Sequence, residues 1–599
     1  MRNQVGRPVY VITLLASTAL PAAAQSLPPP PVPPENPITE AKRILGKVLF
    51  WDEQLSSDNA VACGTCHRPA FGGADPRNRR HPGLDDTLGT PDDVLGSPGV
   101  IRCDPSGDYT PDATFDLTIQ GTRRTAQAAI FGQYAPELFW DGRASSTFTN
   151  PETGQVSIPV GGGLESQAIG PILNDVEMAH EGRDWAAVSA KLAGARPLAL
   201  ATDWPQDVAD ALETAGDYPA LFAAAFGDPA ITAERIAFAI ATYERTLVAN
   251  QTPWDRFVGG DPAALTPQQQ QGLAAMQNTT CLACHTPPMF TNNSFRNVGL
   301  RPVAEDRGRQ EVTGNPADRG RFKVPTLRNV GLKRSFMHNG QLATLGQVFD
   351  FYLEANGQVQ FPDNQDPLVP PIAIPPQLRP AVIDFLANGL TDPRVATETF
   401  PFDRPTLHSE REPNPLLIGT AVPGAGGIAP VMIAVAPPNV GNSDFKIGVD
   451  RGLGGAIAHV ALSYSPPVGG VLTPDEAYGP ITLTGSGAGE GYATLHWPIP
   501  DDESWNGRTV FMQWWIEDAA AADGLARSPI ARIRVFCTTC ACAGDLDGDG
   551  EVALADLSIL LANYGLDDRT EEQGELTGDQ RVDLADLSAL LQRYGVRCQ

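Results

Sequence analysis

The 599-residue chain is short of positive charge: 43 lysines and arginines face 70 aspartates and glutamates, a net charge of −27 with histidine neutral. That balance excludes a generally basic nucleic-acid binder. Long hydrophobic runs are also missing. Beyond the N-terminus no apolar stretch reaches the roughly 18 residues a membrane-spanning helix needs, so a soluble mature protein with no membrane span is expected. Charged residues make up 19% of the chain against 42% hydrophobic ones, which excludes a wholly disordered polymer. The length calls for three or four domains rather than one core. No segment offers a paired-carboxylate domain of the kind that cuts carbohydrate.

What is present begins with MRNQVGRPVYVITLLASTALPAAAQ, in which Arg2 and Arg7 precede the apolar run Val9 to Leu20 and the small residues Ala22, Ala23 and Ala24. This is the layout of a cleaved secretory signal over residues 1–24. Export predicts a periplasmic or cell-surface protein in an oxidising compartment, where the nine cysteines should be paired or held by a cofactor. A proline-rich spacer follows at 25–37. From Ile38 to Phe402 the pattern is mainly α: Ile44, Leu45, Val48 and Leu49 share one face, and Ile236, Ile240 and Leu247 another. In LTPQQQQGLAAM, Thr266 is the expected N-cap, Pro267 the first helical residue and Gln269 the partner in a capping box. Residues 403–416 read as a linker. Residues 417–537, with the runs PVMIAVAP, AHVALSYS, ATLHWPI and RTVFMQWWI, read as an all-β sandwich-like module.

Two CxxCH segments carry the chemistry: Cys63, Cys66 and His67, then Cys281, Cys284 and His285. In c-type attachment the two thiols add to the vinyl groups of one porphyrin and the adjacent histidine reaches its iron. Two covalent haems c are expected, one in a domain over 38–250 and one over 251–402. A thioether sixth ligand favours electron transfer, whereas an open position admits a substrate. His81, Met289, Met337, His338 and Tyr352 are candidate sixth ligands by residue type.

The segments LGKVLFWDEQLSSDNAVACGTCHRPAFGGAD, LFWDGRA at 138–144, LESQAIGPILNDVEM at 164–178, CLACH at 281–285 and RFKVPTLRNVGLKRSFMHNGQLATLGQVFDFY at 321–352 resemble bacterial dihaem cytochrome c peroxidases and their MauG-like relatives. The resemblance covers about 38–402. It implies a peroxide-reactive haem on His67 and an electron-entry or charge-storing haem on His285. It places Glu177 and Gln167 on the distal face of the reactive haem, with Glu165 the alternative carboxylate, and Trp140 between the haems. A carboxylate suits the task of moving a proton from one peroxide oxygen to the other. Asp141 and Arg143 should fix the Trp140 loop by charge-assisted hydrogen bonds. Conventional members carry a methionine ligand fourteen residues after the histidine matched by His338. Tyr352 stands there, the MauG-like pattern, and is preferred over Met337 as ligand of the second haem. His81, fourteen residues after His67, lies where conventional members keep a gating histidine. Phe131 replaces an asparagine that often binds calcium between the haems, which argues against that site.

The last sixty residues repeat GDLDGDGEVALADLSILLANYG from Gly544 as GELTGDQRVDLADLSALLQRYG from Gly574. Asp545, Asp547, Asp549 and Asp556 occupy positions 1, 3, 5 and 12 of a loop in which Glu551 offers its carbonyl, a Ca²⁺ spacing. The second copy, with Glu575, Thr577, Asp579 and Asp586, is less charged and should bind more weakly. Residues 541–598 resemble a dockerin-type pair, which implies a protein partner for this tail. The pairing of Cys103, Cys537, Cys540, Cys542 and Cys598 is open.

The fold class expected is therefore multidomain: a mainly α dihaem cytochrome c peroxidase-like region, an all-β sandwich-like module and a small α calcium-loop repeat. The leading functional expectation is an exported oxidoreductase reducing H₂O₂ to water with electrons from a small c-type cytochrome or cupredoxin, in the family often as a homodimer. A MauG-like dihaem oxidase that stores two oxidising equivalents and modifies a protein substrate is the first alternative. An electron-transfer or surface-attachment protein without turnover is the second.

Overall fold

The computed structural model describes residues 27–369, 372–537, 544–547, 552–567, 569–570, 573–577 and 580–595. The expected signal segment and Asp549, Glu551, Asp579, Cys540, Cys542 and Cys598 lie outside the described residues. Among the described residues no helix is long and apolar enough to cross a membrane.

Glu40–Trp51 forms the first long helix, with the Thr39 hydroxyl accepting from the Lys42 N–H. Its apolar face, Leu45, Val48 and Leu49, packs on Ile236, Ala239, Ile240 and Tyr243 of the helix Ala233–Thr246. The two backbones approach so closely that a Cβ on Gly46 would meet the Ala239 carbonyl. A second core gathers Trp254, Met276, Phe290, Phe336, Phe349 and Phe385. The helix Pro267–Gln277 beside it starts on the expected box: Thr266 Oγ1 accepts from Gln269 N–H and Gln269 Oε1 from Thr266 N–H. The core changes between Ala249 and Trp254, but the chain then returns. Val395, Phe402 and Leu407 are buried in the first core, and Thr406 bridges to Thr202. In residues 403–416, expected as a linker, Leu407 is buried in that core and Arg404 ion-pairs with Glu398 and Glu410.

The β module is two antiparallel sheets. One carries Glu476–Thr482, Ile457–Ser463, Thr509–Glu517, Ile530–Arg534 and Leu416–Ile418 in that order, with Leu525–Arg527 also on Thr509–Glu517; the other carries Ala488–His496, Lys446–Leu453 and Val431–Ile433. Alternate residues such as Val510, Met512, Trp514 and Ile516 face the shared core. The module docks on the helical region: Asn59 Nδ2 donates to Asn442 Oδ1 at 3.1 Å, and Lys191 pairs with Asp444 at 3.1 Å. In the terminal repeat, Leu554–Asn563 and Leu584–Arg593 pack through Leu546, Val552, Leu560, Val582 and Leu590.

Candidate active site

Cys63–Cys66 is a single helical turn capped by His67. Glycine is needed at position 64 because the Trp51 indole lies where a Cβ would project. His67 Nδ1–H donates to the Gly73 carbonyl at 3.2 Å, which fixes the orientation of the ring, and Nε2 is the atom that would hold a haem iron. Burial holds its pKa below the ordinary range, against the Gly73 carbonyl, so the ring is neutral and ready to ligate.

Cys63, Cys66 and His67 border a cavity of about 570 Å³, together with Phe50, Trp140, Gln167, Glu177 and Glu244. Gln167 comes from the helix Gly163–Ala168. Glu177 follows a turn in which Asn174 Oδ1 accepts from the Val176 and Glu177 N–H groups at 2.9 and 3.1 Å. Burial pushes the Glu177 carboxyl above the usual range and the nearby Arg143 guanidinium opposes it. Arg143 pairs with Asp141 at 3.1 Å and lies 3.6 Å from the centre of the Phe139 ring, so the charge-assisted loop expected around Trp140 is present.

Glu165, the alternative carboxylate, does not border the cavity. It is fully buried and held by Arg245 Nη1 and Nη2 at 2.7 and 2.8 Å and by Asn36 Nδ2 at 2.8 Å. Glu244, which sequence reasoning passed over, does border it. Burial pushes its pKa up to about 8, and its Oε2 has no hydrogen-bond partner. The signal was there to read: Glu244 continues the i, i+4 series Ile236 and Ile240, an acid on the buried stripe of an amphipathic helix.

His81 ends the short strand Arg79–His81 and also borders the first cavity. Its Nδ1 accepts from Gly83 N–H at 3.1 Å and its ring meets Phe115 edge-on at 5.6 Å. Trp140 borders the first and the second cavity alike. Its Nε1–H donates to the Thr125 carbonyl at 2.9 Å, and its own carbonyl accepts from Lys323 N–H at 2.8 Å.

Around the second CxxCH, Cys281–Cys284 is again one helical turn and His285 Nδ1–H donates to the Phe290 carbonyl at 3.2 Å. Its cavity of about 190 Å³ is bordered by both Tyr352 and Met337, and not by Met289. Tyr352 closes the helix Leu345–Tyr352, and burial pushes its phenol pKa above the ordinary range. His338 stacks on Phe322 with centroids 3.6 Å apart. Lys323 and Lys333 also border this cavity, burial pushing them down to about 7 and about 8. Each cavity thus unites two thiols, a histidine and apolar walls, and the second adds two lysine amines. These residues fit covalent haem. At Phe131, by contrast, the ring is buried in the first core and offers no oxygen to calcium.

Residues 40–263 match the family described as di-haem cytochrome c peroxidase. The chain is 30% identical over 327 residues to the methylamine utilization protein MauG of Methylorubrum extorquens, covering 54% of this chain and 72% of that protein. It is equally 30% identical over 319 residues to cytochrome c551 peroxidase of Pseudomonas aeruginosa, covering 51% and 70%. Among solved structures, a MauG-like protein associated with microbial copper homeostasis aligns over 66% of this chain and 98% of that one, at 24% identity and a TM-score of 0.45. The chain belongs to the di-haem cytochrome c peroxidase family.

Proposed function

We propose that this protein reduces H₂O₂ to water, taking electrons from a small c-type cytochrome or cupredoxin. The observation that carries this reading is one cavity lined at once by His67, Gln167 and Glu177, with Trp140 shared between it and the cavity of the second CxxCH. Haem bound at Cys63 and Cys66 supplies the iron on which peroxide is cleaved, and haem at Cys281 and Cys284 supplies an electron. Glu177 takes the proton from the near peroxide oxygen and returns it to the leaving one. Gln167 orients peroxide by hydrogen bonding, and the apolar walls exclude bulk water. Trp140 lies on the path between the two sites. His81, on the rim of the first cavity, is placed to gate it. Tyr352, which borders the second cavity, is our choice of the further side chain that would hold the second haem. The similarity to the cytochrome c551 peroxidase of Pseudomonas aeruginosa supports this reading.

The finer parts belong to the same proposal. Residues 1–24 direct export to the periplasm, and the divisions at 250/251 and 537/541 separate units. The terminal repeat holds Ca²⁺ in a dockerin-like pair that engages a protein at the cell surface. Support comes from Asp545, Asp547 and Asp556, whose carboxylate oxygens lie within 4.8 Å of one another. Homodimerisation follows the family habit.

The test is to mix purified ferric holoprotein with one equivalent of H₂O₂ in a stopped-flow spectrometer, and then to repeat after adding one electron per molecule. Reaction only after half-reduction indicates a gate, with His81 its candidate. Reaction of the ferric form indicates an open first site. Silence in both states overturns the peroxidase reading.

A further inference from the structure

We propose that Cys103 and Lys446 form a peroxide-driven covalent tie between the wall of the first cavity and the β module. The segment 97–122 supplies Ser97, Pro98, Gly99, Phe115 and Gln120 to that cavity. Between them Ile101, Cys103, Tyr109 and Leu117 pack instead against Ile433 of the β module. Lys446 opens the strand Lys446–Leu453 and crosses this junction. Its Nζ–H donates to Cys103 Sγ at 3.2 Å and to the Gly107 carbonyl, and it lies 4.6 Å from the centre of the Tyr109 ring. Cys103 is 4% exposed and Lys446 6%.

A buried ammonium is costly without a counter-charge. Here its partners are a thiol, a carbonyl and a ring, and of these the thiol ionises most readily. Burial raises the Cys103 pKa, and the Lys446 charge and hydrogen bond oppose that rise only in part, so the thiolate that reacts is the minor form drawn on as it is consumed. Cys103 is a free thiol outside both CxxCH segments, so attachment of haem leaves it unused.

The chemistry balances with peroxide as the only oxidant. Thiolate sulfur attacks H₂O₂ and breaks its O–O bond. The leaving hydroxide takes a proton from the Lys446 ammonium, giving sulfenic acid, water and a neutral amine. The amine nitrogen then attacks the sulfenyl sulfur, an S–N bond forms, and the S–OH oxygen departs with an N–H proton as a second water. A further peroxide can insert one oxygen to give S–O–N and one more water. The ammonium that stabilises the thiolate becomes the nucleophile that traps its oxidised form. The consequence is structural: oxidised protein has its cavity wall clamped to the β module. This inference rests on the proposed function only in that the protein works where peroxide is present.

The test uses wild-type holoprotein, treated with excess H₂O₂ or left untreated, denatured in alkylating reagent, digested and mapped by mass. The expected result is loss of the separate Cys103 and Lys446 peptides and one linked species about 2 Da below their sum, or about 14 Da above it for S–O–N. Dithiothreitol should restore both peptides, and Lys446→Met should abolish the species while Cys103 over-oxidises. Recovery of alkylated Cys103 after peroxide, its sulfinic acid beside free Lys446, or a disulfide at Cys103 would each overturn the proposal. Turnover is measured on the same samples: a tie without turnover removes only the peroxidase reading, and turnover without a tie removes only this one.

Discussion

Replacing Glu177 by glutamine keeps the size of the side chain and removes its basicity. Positioned acid–base groups contribute about 10²–10⁴-fold to rate, and the cavity narrows that range. Glu244, another buried carboxyl bordering it, has its pKa pushed up to about 8. At pH 6 about 1% of it is ionised, so as a substitute base it supports at most about one hundredth of the reaction. Glu177→Gln should therefore slow peroxide consumption at least about 100-fold at pH 6, about 2.7 kcal/mol of barrier. As pH rises towards 8 the ionised share of Glu244 grows and the deficit should shrink to a few-fold. Wild type should itself gain rate with rising pH above the ordinary carboxylate range, because burial raises Glu177. The assay is single-turnover stopped flow in the reactive redox state from pH 5 to 9, beside Glu165→Gln and Glu244→Gln. A Glu177→Gln rate within threefold of wild type at pH 6 would refute its role. A deficit that stays at 100-fold at pH 8 would remove Glu244 as the substitute.

Arg245→Met strands the fully buried Glu165 carboxylate and should cost about 3–5 kcal/mol in urea unfolding of the helical region, most of it recovered in the Arg245→Met, Glu165→Leu double variant. Tyr352→Met places a thioether at the second cavity and should raise the reduction potential of that haem in a spectroelectrochemical titration; an unchanged potential would mean that Tyr352 does not ligate. Burial pushes Glu53 up to about 7 although it accepts from the His408 and Ser409 N–H groups. A raised carboxyl contributes stability that is fully present below its unfolded pKa and lost as pH rises through its folded one. Glu53→Gln should therefore gain on wild type by up to about 3 kcal/mol between pH 4.5 and 8, read as a difference in melting temperature; a pH-independent difference would refute the shift.

Much of the haem chemistry was legible because it is local. Two thiols three residues apart and an adjacent histidine make one helical turn wherever they occur, and both copies here do so. Capping is local too, and Thr266, Pro267 and Gln269 formed the box their order requires. The apolar run RTVFMQWWI, bounded by turn residues, was enough for a strand, and both of its faces are covered, with Val510 to Trp514 buried without a break.

Residues whose roles depend on distant partners were not legible. Glu165 and Glu177 are both acids in one 15-residue stretch; Arg245, far along the chain, is what neutralises the first and leaves the second to the cavity. Segment 403–416 has the composition of a linker, yet its Leu407 buries itself in a core built more than 350 residues earlier around Leu45 and Val48. The contact between Cys103 and Lys446 joins residues 343 apart. Sequence alone determined which groups this protein can bring to peroxide and haem, because those groups are short motifs with their own geometry. Tertiary structure decided which acid is free and which is paired, because the ionisation of a buried carboxyl depends on the charges folded against it.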